Sequence, residues 1–323
     1  MVRSVTWRLG LPAAFALAIG LLAHGQPRRR PPERTPAPKT GRPGPKKLDP
    51  EAPPVAPVHE LMKLYEARQY TTLRGTMPYR MLRPLNYAAR RKFPMVVCLH
   101  GVPGRGKDNV LQLAATYPVT VLARPAMRQK HPCFILAPQS PTWWGDQPYG
   151  TLPGTKASGK DFPAVSLLIE CIEALEGVFA IDPNRVYLTG HGMGGFGAFN
   201  VLRSRPDFFA AATTVSGGGD PNSAIELYHT PMWLFAGEKS GIRHYSETMV
   251  AALKKFGGAP KYTMVPDAPT TCWPAVYDGD AVWDWLFAQR KVPKPVLPTS
   301  LPTTLPTTLP SLLLPPAPPP KPK

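Results

Sequence analysis

Histidine, cysteine and acid are all scarce in this chain, and each scarcity excludes something. Of 323 residues only seven are His, and none follows His244. Chemistry that needs an imidazole from the C-terminal quarter is therefore excluded. Four cysteines, Cys98, Cys133, Cys171 and Cys272, would allow three disulfide pairings in an exported protein. Cys98 and Cys133, however, sit in apolar strand-like runs and Cys171 in an apolar helical segment, where buried free thiols are expected. The apolar run that invites a membrane reading, Leu9 to Ala23, falls short of the roughly 18 to 20 residues of a spanning helix and contains Pro12. Asp and Glu number 21 against 38 Lys and Arg, for a net charge of +17. No basic strand interleaved with aromatics accompanies that excess, so nucleic-acid recognition is not expected.

What is present divides into four segments. Residues 1–25 carry Arg3 and Arg8, then the uncharged run, then Ala23-His24-Gly25. This is the pattern of a cleaved secretory signal. Export to the periplasm, cell surface or medium is expected, with no transmembrane anchor left after cleavage. No cysteine follows the cleavage position, which argues against a lipid anchor. Residues 26–57 hold eleven prolines and the run Arg28-Arg29-Arg30, a proline-rich basic linker with little to bury. Residues 291–323 hold twelve more prolines and the near-repeat LPTSLPTTLPTTLP, a proline/threonine-rich disordered tail of polyproline character. Ten basic residues against three acidic ones in 1–57, and four against none in 291–323, place most of the charge excess in these arms. They could contact an anionic cell-surface polymer.

The remaining segment, 58–290, is long enough for one large domain with a substantial core. TTLRG and PYRMLRPL read as an opening pair of strands with Met77-Pro78 between them. FPMVVCLHG is a continuous apolar run of the kind buried in a parallel sheet. Lys107 to Thr116 is compatible with helix, CFILAPQ is a strand, and FPAVSLLIECIEALEGVF has apolar residues at helical spacing with Asp161 as its capping candidate. RVYLTG, FFAAATTVSGGG, PMWLFAGE and KYTMVP are further strands, separated by GGFGAFNVLRSR and HYSETMVAALKKFGG as helices, and AVWDWLFAQRK closes the domain as a last helix. Alternation of this kind predicts an α/β fold, a mostly parallel sheet with helices on both faces.

The organising stretch is TGHGMGG, Thr189 to Gly195, where a strand turns sharply into a helix. It has the outline of a G-x-S-x-G nucleophile elbow, but Gly192 stands where the Ser would be, and no other G-x-S-x-G occurs in the chain. Together with LHGVPGRGKDN, DPNRVYLTGHGMGGFGAF, SGGGDP and WLFAQRK, in that order, it resembles the α/β-hydrolase superfamily, in its branch of secreted esterases and predicted peptidases near polyhydroxybutyrate-depolymerase-like and feruloyl-esterase-like proteins. The resemblance covers nearly all of 69–290.

That resemblance implies an α/β-hydrolase fold and a site for carboxylic esters, whose chemistry needs Ser, then an acid, then His in chain order. Aligned with the family, the three positions are Gly192, Ser240 and Thr270. Glu238 stands two residues before Ser240 as a substitute acid. Losing nucleophile and base together removes the reaction path, a loss of about a millionfold in turnover in enzymes of this chemistry. The oxyanion donors implied are the backbone N–H groups of Met193 and Val102, which survive side-chain substitution. Around them the pocket candidates are His100, His191, Ser216, Trp144 and Trp273, with Trp143 beside them. Each has a plain structural reading: His191 fills space beneath the elbow, Ser216 begins a glycine turn, and the tryptophans pack. The sharper reading is a relocated centre in which Ser216 meets His191 or His244. His100, His191, Glu238 and His244 fall near strand ends, but their spacing matches no metal motif, and neither metal nor cofactor is expected. The function expected is that of an exported pseudohydrolase binding a small carboxylate or ester, the alternative being an active carboxylesterase or peptidase-like hydrolase with relocated residues.

Overall fold

The computed structural model describes residues 57–145 and 163–291. The secretory-signal and Asp161 expectations, all of the linker but Pro57 and all of the tail but Lys291 lie outside those residues. A short helix, α1 (Val58–Leu64), precedes the hairpin of β1 (Glu66–Thr72) and β2 (Gly75–Leu82), and β3 (Phe93–Leu99) follows. Three short helices, α2 (Leu111–Ala114), α3 (Tyr117–Leu122) and α4 (Pro125–Lys130), lead to β4 (Phe134–Pro138). After these come α5 (Pro163–Val178), β5 (Ile181–His191), α6 (Met193–Ser204), β6 (Ala211–Val215), α7 (Ala224–Leu227) and β7 (Met232–Gly237). The domain ends with α8 (Arg243–Lys255), β8 (Lys261–Val265), α9 (Trp273–Tyr277) and α10 (Asp280–Ala288).

The strands form one eight-stranded sheet in the order β1-β2-β4-β3-β5-β6-β7-β8. β2 is antiparallel to both β1 and β4, and every pairing from β4 onward to β8 is parallel. Side chains on a strand alternate between faces, and the core divides accordingly. From β3, Met95, Val97 and Leu99 join Leu168, Ile172, Phe199, Leu202 and Met249 of α5, α6 and α8. Val96 and Cys98 join Leu61, Val119, Trp273 and Trp283 on the other face. Full burial of each such side chain contributes about 1.5–3 kcal/mol, so this central strand cannot tolerate a polar residue on either face. All four cysteines are buried and free. Among the described residues no helix is long and apolar enough to cross a membrane.

Two local expectations are corrected. The stretch 107–116 is helical only at Leu111–Ala114. Asp108 Oδ1 accepts the N–H groups of Val110 and Leu111 at 2.6 and 2.8 Å, while Asn109, at φ +57°, donates from its backbone to Gln139 Oε1 and from its side chain to the Arg68 carbonyl. Side-chain bonds of this kind compete with the helix for the same backbone groups. Met77-Pro78 does not interrupt the first strands. Their turn falls at Leu73-Arg74, closed by Gly75 at φ +137°, and Pro78 lies within β2 opposite Gln69. The missing N–H is tolerated there because pairing with β4 begins at Tyr79.

Candidate active-site elbow

The carboxyl ends of β3, β5 and β6 meet the start of α6, and backbones approach there more closely than a side chain would allow. A Cβ on Gly190 would lie 2.5 Å from the Gly194 carbonyl oxygen, and one on Gly194 would lie 2.2 Å from that of Leu99. A Cβ on Gly217 would lie 2.4 Å from the Gly195 backbone. These glycines are what sequence reasoning needed to place a sharp strand-to-helix turn here. At its apex Gly192 takes φ +53° and ψ −123° and donates its N–H to the Val215 carbonyl at 3.0 Å. That conformation lies outside the wells open to residues with a side chain, so glycine relieves the strain that any nucleophile would carry. Unlike its neighbours, Gly192 has nothing within 4 Å of the place a Cβ would take. The turn is therefore shaped to project a side chain into open space, and has none.

A buried hydroxyl cluster supports the turn from below. Thr189 Oγ1 lies 2.7 Å from Thr213 Oγ1 and 2.8 Å from the Tyr277 hydroxyl, which also donates to the Gly190 carbonyl at 3.2 Å. Burial pushes the Tyr277 phenol well above its ordinary range, so it stays protonated as a donor. Nothing in the sequence marks Tyr277 for this role, because it lies 87 residues from the carbonyl it holds.

The two positions aligned with the family's acid and base come together. Ser240 Oγ and Thr270 Oγ1 are 2.9 Å apart, and the Ser240 oxygen also accepts the Ile242 N–H at 3.3 Å. Ser240 is buried and Thr270 half-buried. Two hydroxyls bonded in this way hold the loops after β7 and β8 against each other, but neither can accept a proton at neutral pH as a carboxylate–imidazole pair does. Glu238 does not stand in for the acid. It is exposed, and its Oε2 accepts the Asp267 N–H at 2.9 Å.

Ser216 is held in the left-handed region at φ +52° and is fully buried, its hydroxyl donating to the Thr270 carbonyl at 2.6 Å and lying 3.6 Å from Cys272 Sγ. A reactant has no access to it. His191 accepts the Tyr117 N–H at Nε2, 3.3 Å away, and stacks on Trp273 with centroids 4.3 Å apart. His100 Nδ1 bonds the Gly101 carbonyl at 2.7 Å while its Nε2 accepts the Ser140 N–H at 3.0 Å. Burial pushes the His100 imidazole down to about 4. Burial, and then the charge of His100, pushes His191 down to about 3. Both rings are therefore neutral braces. His244 stands exposed at the start of α8 against the ring of Tyr245.

Trp144 and Trp273 are 1% and 2% exposed. Trp144 donates its indole N–H to the His100 carbonyl, and its own carbonyl accepts from the Asn200 amide. Their role is packing behind the elbow, not stacking on a ligand, because the ring faces are already covered. Trp143 is half-buried beneath the Arg105 guanidinium at 4.3 Å. Of the residues weighed as metal ligands, His100, His191, Glu238 and His244, no three converge, nor do any other three His, Cys, Asp or Glu among the described residues.

The start of α6 supplies backbone donors. Met193 opens the twelve-residue α6, where helix geometry leaves the first N–H groups without intrahelical acceptors and the helix dipole favours negative charge. Gly194 abuts the carbonyls of Leu99 and His100, which brings that end of α6 beside the short 3-10 turn Val102–Gly104. Val102 is 36% exposed at its start.

No protein-family model matches the sequence, and no curated protein matches it. Among solved structures, the chain is similar to a thermostable esterase, with 31% identity and a TM-score of 0.65 over 72% of this chain. It spans 64% of that esterase's length. It also shares its fold with a feruloyl esterase module from Clostridium thermocellum solved with sinapinate, at 15% identity and a TM-score of 0.51, over 69% of this chain and 86% of that one. The strand order, the sharp glycine turn at the end of β5 and the likeness to the thermostable esterase place this chain in the α/β-hydrolase superfamily.

Proposed function

We propose that this chain is a non-catalytic binding protein on an esterase-like fold, carried on an exported polypeptide, and that its ligand is a small carboxylate or ester. The observation that carries the reading is the contrast at the elbow. The apex at Gly192 points into open space without a side chain, and Ser240 and Thr270, the positions that the family resemblance aligns with acid and base, bond each other as two hydroxyls. Acyl transfer needs an attacking oxygen and a base within hydrogen-bond reach, and the buried histidines are committed elsewhere. Backbone donors at Met193 and Val102 depend on no side chain. A carboxylate or carbonyl oxygen held by them would bind without being cleaved. The arms add a basic tether suited to an anionic surface polymer.

The test is an ester-hydrolysis assay with short acyl p-nitrophenyl esters, run on the native chain and on the triple variant Gly192→Ser, Ser240→Asp, Thr270→His. Background rates for the native chain and turnover by the triple variant support the reading. Native turnover abolished by Ser216→Ala would replace it with a relocated catalytic centre.

A further inference from the structure

At the amino ends of β3 and β4, opposite the carboxyl ends that carry the elbow, the segment after β2 and the helix α4 enclose an open cleft of ≈ 310 Å³. Arg91 and Arg128 line it with Asn86 and Gln129, and Leu85, Ala88 and Pro132 give it an apolar wall. The segments that form it, 83–92 and 124–132, contain seven Lys and Arg and no Asp or Glu. Three of the seven are neutralised from outside: Arg83 by Glu66, Arg124 by Asp278, and Lys130 by Asp280 and Asp284. Among the described residues, the two arginines in the cleft pair with no carboxylate.

Both are nevertheless held in place. Arg128 donates one Nη2 hydrogen to the Arg83 carbonyl at 3.2 Å, which leaves most of its five N–H groups uncommitted. The Arg91 guanidinium lies 5.2 Å from the centroid of the Phe93 ring, a cation–π contact that fixes the group without using a donor. Phe93 is itself wedged against Tyr87 and Phe134. Asn86 sits at φ +55°, a left-handed position that Asn tolerates better than most residues. Fixed guanidiniums with uncommitted donors recognise carboxylate and phosphate heads through paired N–H···O bonds. The volume lies at the low end of small-molecule sites, larger than such a head alone requires, and the wall beside the arginines is apolar.

We propose that this cleft is a second ligand site, separate from the elbow, for a small organic anion with a carboxylate or phosphate head and an apolar body. The head bonds Arg91 and Arg128, the Asn86 and Gln129 amides complete its shell, and the body lies along Leu85, Ala88 and Pro132.

The full chain is titrated by calorimetry at low salt with phenyl phosphate, benzoate, inorganic phosphate and benzyl alcohol. The expected result is saturable binding of phenyl phosphate or benzoate, about tenfold or more tighter than inorganic phosphate, with no binding of benzyl alcohol. Preference for phenyl phosphate over benzoate assigns the head as phosphate, and the reverse assigns it as carboxylate. Arg91→Gln, an exposed side chain whose loss leaves the backbone bonds intact, weakens binding about tenfold or more. Ala88→Trp keeps both guanidiniums and fills the cleft from its exposed rim, and abolishes binding while the melting temperature stays unchanged. No saturable binding of either aromatic anion, or binding indifferent to both substitutions, overturns the proposal.

Discussion

Lowering the pH from 7 to 5 removes a large part of this domain's stability, and two histidines set the size of the loss. His100 and His191 are 0% and 2% exposed and both are held neutral, with pKa values pushed from 6.5 down to about 4 and about 3. In the unfolded chain each recovers an ordinary value near 6.5. The unfolded state therefore binds more protons across the window from 6.5 down to the folded values. Stability falls as pH falls through 6.5, and the loss levels off only below about 4 for His100 and about 3 for His191. Each unit of separation is worth about 1.4 kcal/mol, so at pH 5 each ring costs about 2 kcal/mol and the pair about 4. Against a total of about 5–15 kcal/mol for a typical domain this is severe. It corresponds to a melting temperature roughly 8–16 °C lower for a domain of this size. His131, shifted down by burial, adds in the same direction, and Glu176, raised by burial, opposes it near the lower end. Asp108 and Asp182, held low by hydrogen bonds against the opposing effect of burial, titrate below the window. Urea unfolding followed by tryptophan fluorescence at half-unit steps between pH 7 and 5 gives the slope, which approaches about 2.7 kcal/mol per pH unit for two protons. A slope below about 1, or imidazole proton resonances of both rings that titrate near pH 6.5 in the folded protein, would refute the assignment of these rings as buried neutral braces.

The elbow glycines should separate sharply under substitution. Gly192→Ser meets nothing within 4 Å and costs about 1–3 kcal/mol from the positive φ alone, with no gain in ester hydrolysis because no base is restored. Gly194→Ala drives a Cβ to 2.2 Å from the Leu99 carbonyl, so the variant should fail to accumulate in soluble form. Equal melting temperatures for the two variants would contradict the geometry. The thiols are equally discriminating. All four are buried and free, and burial pushes Cys133 and Cys171 up to about 12. An aromatic disulfide reagent should therefore find no reactive thiol in the folded domain and four in denaturant. Rapid labelling of one thiol without denaturant would show that its surroundings open.

The sequence was legible where backbone demands are absolute and illegible where side chains choose among partners. Gly190, Gly194 and Gly195 announce a close strand–helix approach, because at Gly190 and Gly194 no other residue leaves room for the facing carbonyl. The fully buried β3 and β4 announce themselves as unbroken apolar runs, which only a sheet covered on both faces produces. The 107–116 stretch misled because Asp108 and Asn109 could as well have begun a helix. What decided against one was Gln139 and the Arg68 carbonyl, both distant in sequence. Trp144 and Trp273 carry the same signal whether they stack on a ligand or close a core, and only their near-complete burial separates the two.

The elbow presents the deeper asymmetry. Its shape is a property of glycines and of three strand ends, whereas its chemistry is a property of three side chains drawn from segments up to 78 residues apart. Shape persists when any one of those side chains changes, because no packing depends on a group projecting into open space at Gly192. The acid and base positions are different. They lie between loops that must be joined, and there the Ser240–Thr270 bond supplies a neutral contact. A hydrogen bond between two hydroxyls is worth about 0.5–1.5 kcal/mol net, enough to keep the loops together without a buried charge to desolvate. Such a pair joins the two loops without any group that titrates near neutral pH. Restoring only one member of the pair would strand a charge or an imidazole without its partner. Ser240→Asp alone should therefore be less stable than either the native chain or the double variant with Thr270→His, a non-additivity that a thermal-denaturation cycle over the four proteins would measure directly.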